Sequence, residues 1–361
     1  MKKFFIIIFL FLPFLFFSKF SYAQEFKEEI LEAKINNVIE EKIIIKNGEK
    51  QVYQRLNLAI TKGSLENEQI VIEVGDIQIV GQQKYEKGDK VLVSYNKDFE
   101  GNDVFYITDF VRRIPLLILF LVFALLTALI GKARGVMSLF GLGVTFFIIL
   151  FVILPLIYKG IDPVLVSIGG SFIIIPVTFF LSHGFNRKTA IAVLATIISL
   201  VFVGVLAKVF ILLSALSGFA SEEAAFIFVA KGGQVNLQGI LLAGIIIGAL
   251  GILDDITVSQ ASIVQELKKA NPLMKSKKLF LSAMNVGQDH IASMVNTLVL
   301  VYTGASLPLL LLFIDNPHPF NEIINYQIVA EEVVRTLVGS IGLVLAVPIT
   351  TFLATRFKFR N

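Results

Sequence analysis

The residues of this chain best suited to chemistry are carboxylates set among apolar neighbours. Gly244, Gly248, Gly251, Asp255, Ser259, Ser262 and Glu266 recur at steps of three and four, so they share one face of a helix. Glycines let a second helix approach, and the polar stripe continues where they stop. Asp254 lies about 100° around the helix from Asp255, above Val258 and Ala261. If that helix runs on unbroken, Asp255 faces the bundle and Asp254 its flank. A second stripe, Asn285, Asp289, Ser293, Asn296 and Thr303, has the same helical spacing, with His290 beside it. Ionisable groups inside a membrane bundle are expensive to hold and mark ion or proton pathways. In that reading Asp254, Asp255 and Asp289 attract a cation or relay a proton, and Ser259, Asn296 and Thr303 coordinate the passing species. Ser293 and His290 complete the candidate site. A lone histidine reads first as a hydrogen-bonded neighbour and second as a metal ligand.

A third face joins Glu331, Arg335, Gly339, Gly342, Ala346 and Thr350, flanked by Glu332. It suggests a Glu331 to Arg335 pair at an outer mouth, with a close-packing seam below. Pro308, Pro348 and the run Gly304-Ala305-Ser306 are places where a helix can break and free its carbonyls as ligands. Lys208 reads as a side chain that snorkels outward, or as a partner of Glu331 or Glu332.

Such groups matter only if the elements around them lie in a bilayer. Of 361 residues, 55% are hydrophobic and 17% charged, too apolar for soluble cores alone. The charges concentrate before Arg113, which predicts a hydrated domain followed by a long embedded one. Seven apolar segments follow: Ile114 to Ile130, Val136 to Tyr158, Pro163 to Leu181, Thr189 to Leu213, Leu237 to Leu253, Ile291 to Ile314 and Glu332 to Leu353. Each has about the length a membrane helix needs. At the amino terminus, Lys2 and Lys3, the run Phe4 to Phe17 and Ser21-Tyr22-Ala23 read as a cleaved signal peptide, with an uncleaved anchor helix as the alternative. Either delivers the next segment outside.

That start places Lys132, Arg134, Arg187, Lys188, Lys268, Lys269, Lys275, Lys277, Lys278, Arg356, Lys358 and Arg360 in the cytoplasm, as the positive-inside rule requires. Arg112 and Arg113 run against it. The expected division is 1–23 signal peptide, 24–113 extracytoplasmic β-rich domain and 114–361 transmembrane domain.

Period-two alternation predicts six short strands in the hydrated domain: Ile43 to Lys46, Val52 to Ile60, Ile70 to Val74, Ile77 to Val80, Val91 to Tyr95 and Val104 to Thr108. Asn47-Gly48 reads as a hairpin turn. A small barrel of the oligonucleotide-binding type fits, but no basic, aromatic-rich face accompanies it, so docking or capping is expected rather than nucleic-acid binding. The Glu- and Lys-rich stretch before Ile43 fits a first strand or a short helix. Ser221 to Lys231, with a serine cap, early acids and Gly232-Gly233 at its end, fits a short helix.

Absent signatures narrow the function. No cysteine is present, and no G-x-x-x-x-G-K-[ST], G-x-S-x-G or H-E-x-x-H occurs, so thiol chemistry, nucleotide-driven transport by this chain, serine hydrolysis and zinc proteolysis lack support. Two aspartates on neighbouring helices formally suit an intramembrane aspartyl protease, but both are expected at helix ends and not at depth. The chain is therefore expected not to be an enzyme and to need no cofactor.

The stretches GILDDITVSQASIVQEL (251 to 267), NVGQDHIASMVNTLVLVYTGASLPLLLL (285 to 312) and AEEVVRTLVGSIGLVLAVPIT (330 to 350) resemble the signature segments of the YibE/F-like family of bacterial multi-pass membrane proteins. The resemblance covers roughly residues 114 to 355. It implies a bacterial cytoplasmic-membrane protein with an extracytoplasmic N-terminal domain and names no substrate or reaction. Where that family usually shows a basic residue before the aspartate, this chain has Gln288, so the resemblance supplies no cation to pair with Asp289. The expected function is transport or permeation, cation- or proton-coupled. The alternative is a non-catalytic scaffold within a membrane complex. Expected partners are the lipid bilayer and other membrane subunits or further copies of the chain, and no nucleic acid.

Overall fold

The structure is a computed structural model and describes residues 28–46, 49–76, 83–98, 100–314 and 318–357. The expected signal peptide, the Asn47-Gly48 turn, the strand Ile77 to Val80, Asp315, Lys358 and Arg360 lie outside the described residues. The chain divides into two compact units, with a boundary in the sequence between Leu125 and Leu126.

The first unit is an antiparallel sheet of five strands, β1 (Glu29–Lys46), β2 (Glu49–Lys62), β3 (Gln69–Val74), β4 (Lys90–Lys97) and β5 (Asp103–Phe110), in the order β3-β2-β1-β4-β5. The stretch before Ile43 is thus strand, and the expected first strand is only the end of an 18-residue one. Leu31, Ala33 and Ile35 alternate into the core, where they meet Leu56, Leu58, Ile72, Val91 and Val93. Register shifts between Ile35 and Asn37 and between Val38 and Glu40 bend β1, whose residues Glu29 to Lys34 pair with β4 and Glu32 to Lys46 with β2. The edge strands β3 and β5 approach each other, but no hydrogen-bonded ladder joins them among the described residues. Gly75 turns the chain after β3 with φ +94°, where a Cβ would also strike the carbonyl oxygen of Val52. Buried Gln54 then ties down the approach to β4: its amide nitrogen donates to the Tyr85 carbonyl and its oxygen accepts from the Tyr85 amide, both at 2.9 Å.

The second unit is helical. A helical run starts with α1 (Arg113–Ile148), passes through a π-turn at Ile149–Ile153 and ends in α2 (Leu154–Tyr158). Lys132 breaks it with φ 51° and ψ −136°, which separates the first two expected segments. Then come α3 (Pro163–His183), α4 (Arg187–Leu213), α5 (Glu222–Ala230), α6 (Leu237–Ala270), α7 (Ser276–Ala305), α8 (Leu307–Leu312), α9 (Phe320–Ile323) and α10 (Gln327–Arg356). Asp162, Asn186, Ser221 and Asn236 cap α3 to α6 by accepting amide hydrogens of the first turns. The core is formed where α4, α6 and α10 pack together, with α3 against α4 and α6 and α7 against α6 and α10.

Among the described residues five helices are long and apolar enough to cross a membrane: Arg113–Tyr158, Pro163–His183, Arg187–Leu213, Leu237–Ala270 and Gln327–Arg356. The chain is a helical membrane protein with an N-terminal antiparallel β domain. The expected segment Ile291 to Ile314 is not one of the five, because polar residues occupy one face of α7 and the helix stops at Ser306, before α8. The break therefore falls at Gly304-Ala305-Ser306 as the sequence suggests, whereas Pro348 sits inside an uninterrupted α10.

Candidate functional site

Helices α6 and α7 form a hairpin. Its turn is closed by Lys268 Nζ, which donates to the carbonyls of Pro272 and Met274 at 2.8 and 2.9 Å. Asp255 stands about 22 Å before the end of α6, and Asp289 about 20 Å after the start of α7, so the two carboxylates reach the same level of the hairpin. Helix α6 continues without interruption past both Asp254 and Asp255.

Both polar stripes lie on the outer side of this chain. Gly244, Gly248, Gly251, Asp255 and Glu266 are exposed and Ser259 and Ser262 half-buried, while the opposite face, with Ile246, Leu253, Ile256, Gln260 and Val264, is buried. On α7 the exposed residues are Asn285, Asp289, Ser293, Asn296 and Thr303, and the buried ones Leu279, Ala283, Gly287 and Leu298. Among the described residues the side chains of Asp255, Ser259, Asp289, Ser293, Asn296 and Thr303 make no hydrogen bond or ion pair, although Ser293 accepts from Thr297 through its backbone carbonyl. The expected orientation of the aspartates is inverted, with Asp254 the half-buried one and Asp255 facing outward. His290 is half-buried, and among the described residues no three His, Asp or Glu side chains gather as metal ligands.

The glycines divide in the same way. A Cβ on Gly244 or Gly251 would meet nothing within 4 Å, and one on Gly248 only the Tyr302 hydroxyl at 4.0 Å. These three are not the packing seam expected of them, because their face is the outer one. Gly342 is a true close approach: a Cβ there would collide with Val203 of α4. A Cβ on Gly339 would be 3.7 Å from Ile252 and 3.9 Å from the Tyr302 hydroxyl, ordinary contact distances.

At the start of α10, Glu331 is 5% exposed and accepts from Gln327 Nε2 at 2.8 Å. Gln327 in turn exchanges hydrogen bonds with Ser217. Arg335 does not pair with Glu331 as expected; its Nε lies 3.4 Å from Glu332, one turn back. That contact lacks hydrogen-bond alignment, so the buried Nε is left without a hydrogen-bond partner among the described residues.

A second polar set, uncharged and enclosed, was not foreseen. Gln260 Nε2 donates to Thr351 Oγ1 at 2.7 Å and to the Ala283 carbonyl at 3.0 Å, joining α6 to α10 and α7. Its Oε1 and the Ser199 hydroxyl are buried with no partner among the described residues. Thr196 of α4 and Thr257 of α6 bond through their hydroxyls. The available signal was Thr257 and Gln260, three residues apart on the otherwise apolar side of α6. A search guided by charge passes over them.

This unit, with its buried amide and hydroxyl seam and its outward carboxylates, coincides with the region that a family model covers. The model described as YibE/F-like protein matches residues 119–360. The chain belongs to that family. The YibE/F-like region thus takes in every candidate residue above, and the β domain lies before it. No curated protein and no solved structure matches the chain.

Proposed function

We propose that this YibE/F-like chain is a permease, cation- or proton-coupled, whose path runs along the outer faces of α6 and α7 and is closed by a second copy of the chain. The observation that carries the reading is the line of side chains without partners among the described residues, exposed Asp255 and half-buried Ser259 on α6 and exposed Asp289, Ser293, Asn296 and Thr303 on α7. Polar groups facing hydrocarbon alone are costly, so such faces call for water or for another protein surface. Gly244, Gly248 and Gly251 on the same side allow close approach of a neighbouring helix. Two carboxylates at one level suit a transient cation or a shared proton.

The reading includes the cytoplasmic membrane of a bacterium, seven crossings with the kinked α7–α8 pair as the sixth, an exported β domain and a cytoplasmic C-terminus, as the basic residues favour. The scaffold alternative is favoured by one observation. Two cavities of about 250 and 360 Å³ lie among α3, α4 and α6, away from the stripes, and the stripes themselves are largely exposed, as a docking face would be.

The test is flux. Purified chain in sealed liposomes, challenged with gradients of protons, monovalent and divalent cations and small anions, is expected to dissipate at least one cation gradient. The chain lacks cysteine, so Gly251→Cys supplies a unique thiol that should cross-link two copies. No flux across the panel, with no cross-link, leaves the scaffold.

A further inference from the structure

Two cavities open side by side where α3, α4 and α6 meet. The first, about 250 Å³, is an apolar groove with Ile175, Leu200 and Ile246 as its buried floor and Phe172, Val201 and Val205 as exposed walls. The second, about 360 Å³, lies at the first turns of α3 and α6 and receives Asp162, Lys208, Asn236 and Gln238. Val164, Lys208 and Leu242 line both, so the pair forms one slot, apolar along the helices and polar at their ends.

The polar end carries one charge of each sign. Lys208 is exposed and has no ion-pair partner among the described residues. Asp162 caps α3 through Oδ1, accepting from the Val164 and Leu165 amides at 3.0 and 2.9 Å, and its Oδ2 has no partner among the described residues. Two neighbouring charges of opposite sign, unpaired with each other, complement a ligand that carries both.

We propose that this slot binds a glycerophospholipid whose head group carries a primary ammonium beside its phosphate. One acyl chain lies along Phe172, Val201 and Val205, the phosphate meets Lys208, and the ammonium donates to Asp162 Oδ2. A purely anionic head group would place negative charge against Asp162. A quaternary ammonium has no hydrogen to donate to that carboxylate. Gly204 keeps the groove open: a Cβ there would sit 3.7 Å from Ile246 Cδ1, ordinary contact, but a longer side chain at that position fills the space an acyl chain needs. The slot uses none of the α6 and α7 stripe residues, so it stands or falls apart from the permease reading.

The test uses the full chain in detergent, offered phosphatidylethanolamine, phosphatidylglycerol and phosphatidylcholine of matched acyl chains, with retained lipid counted by native mass spectrometry. The wild-type chain should retain phosphatidylethanolamine over each of the others by about threefold, as one partly hydrated ion pair provides. Asp162→Asn keeps the helix cap and should abolish the preference over phosphatidylglycerol. Lys208→Gln should lower retention of all three, and Gly204→Leu should eliminate it. Equal retention of the three lipids by the wild-type chain overturns the proposal, and that arm needs no variant to fold. So does a preference that survives Asp162→Asn, or Gly204→Leu retaining lipid at the wild-type level.

Discussion

Thr196 of α4 and Thr257 of α6 share a hydrogen bond of 2.7 Å between hydroxyls that are both fully buried. Each hydroxyl also has an acceptor within its own helix, the Ala192 carbonyl 2.9 Å from Thr196 and the Asp254 carbonyl 3.3 Å from Thr257; each has a single hydrogen, so one donates across the interface while the other donates within its own helix. Replacing either residue by valine therefore removes the interhelical bond without orphaning the survivor. The expected loss is about 1 kcal/mol for either substitution. The double variant should lose little more than one single, because the shared bond can be removed only once. Thermal unfolding of the four proteins in one detergent measures this coupling, and full additivity would mean that the hydroxyls act separately.

Glycine substitutions should rank by what a side chain would strike. Gly342→Leu drives atoms into Val203 and should lower the melting temperature most, by an overpacking penalty of about 1 to 3 kcal/mol. Gly141, 3.7 Å from Thr178 and Ser182 by the same measure, should be intermediate. Gly251→Leu, facing open space, should leave the melting of the single chain unchanged. A larger loss at Gly251 than at Gly342 would mean that the outer face of α6 is packed in the purified protein.

Periodicity in the sequence located the stripes of α6 and α7 correctly but not the side toward which they turn. In a soluble helix the apolar face is the inner one. In lipid both surroundings are apolar, and here Leu253, Ile256 and Val264 pack inward while glycine and aspartate face out. The β domain was more legible, since Leu56, Leu58 and Ile60 alternate with exposed or half-buried residues as in any half-buried strand. Its first strand was partly hidden, because Ala33 is a weak apolar signal between Glu32 and Lys34. The α7 break needed only Gly304, Ser306 and Pro308, yet hydropathy alone carried the expected segment across it.

The β domain should lose stability in acid. Arg113 holds Glu32 below the usual carboxylate range, Lys84 does so for Glu41, and hydrogen bonds from Ser64 and Asn102 do so for Glu29 and Asp98. Carboxyls depressed in the folded state stabilise it fully above their unfolded values, about 4, and lose that contribution as pH falls through the folded ones. Hydrogen exchange of β1 and β2 in the full chain should be protected from pH 7 down to about 5, after correction for the intrinsic rate, and weaken below about 4. Glu32→Gln should reduce that acid sensitivity. Protection independent of pH over this range would deny these contacts any weight.

The aspartates separate transport from packing. Asp255 and Asp289 face outward at one level with no partner among the described residues, so neither is expected to stabilise the monomer, and Asn at either position keeps the shape while removing the charge. Asp255→Asn and Asp289→Asn should therefore fold and accumulate normally yet lose most of the cation flux. Asp254 differs, since its half-buried carboxylate accepts no hydrogen bond among the described residues and its charge is the more poorly solvated. Asp254→Asn should raise the melting temperature slightly, because it removes an unpaired, partly buried charge, and should reduce flux less than the other two changes. The measurements are membrane abundance, melting temperature and liposome flux for the three amides beside the wild-type chain. Wild-type flux from both Asp255→Asn and Asp289→Asn would remove the proposed path and leave the outer face as a docking surface. Loss of abundance in those two variants would show instead that the carboxylates hold the assembly together.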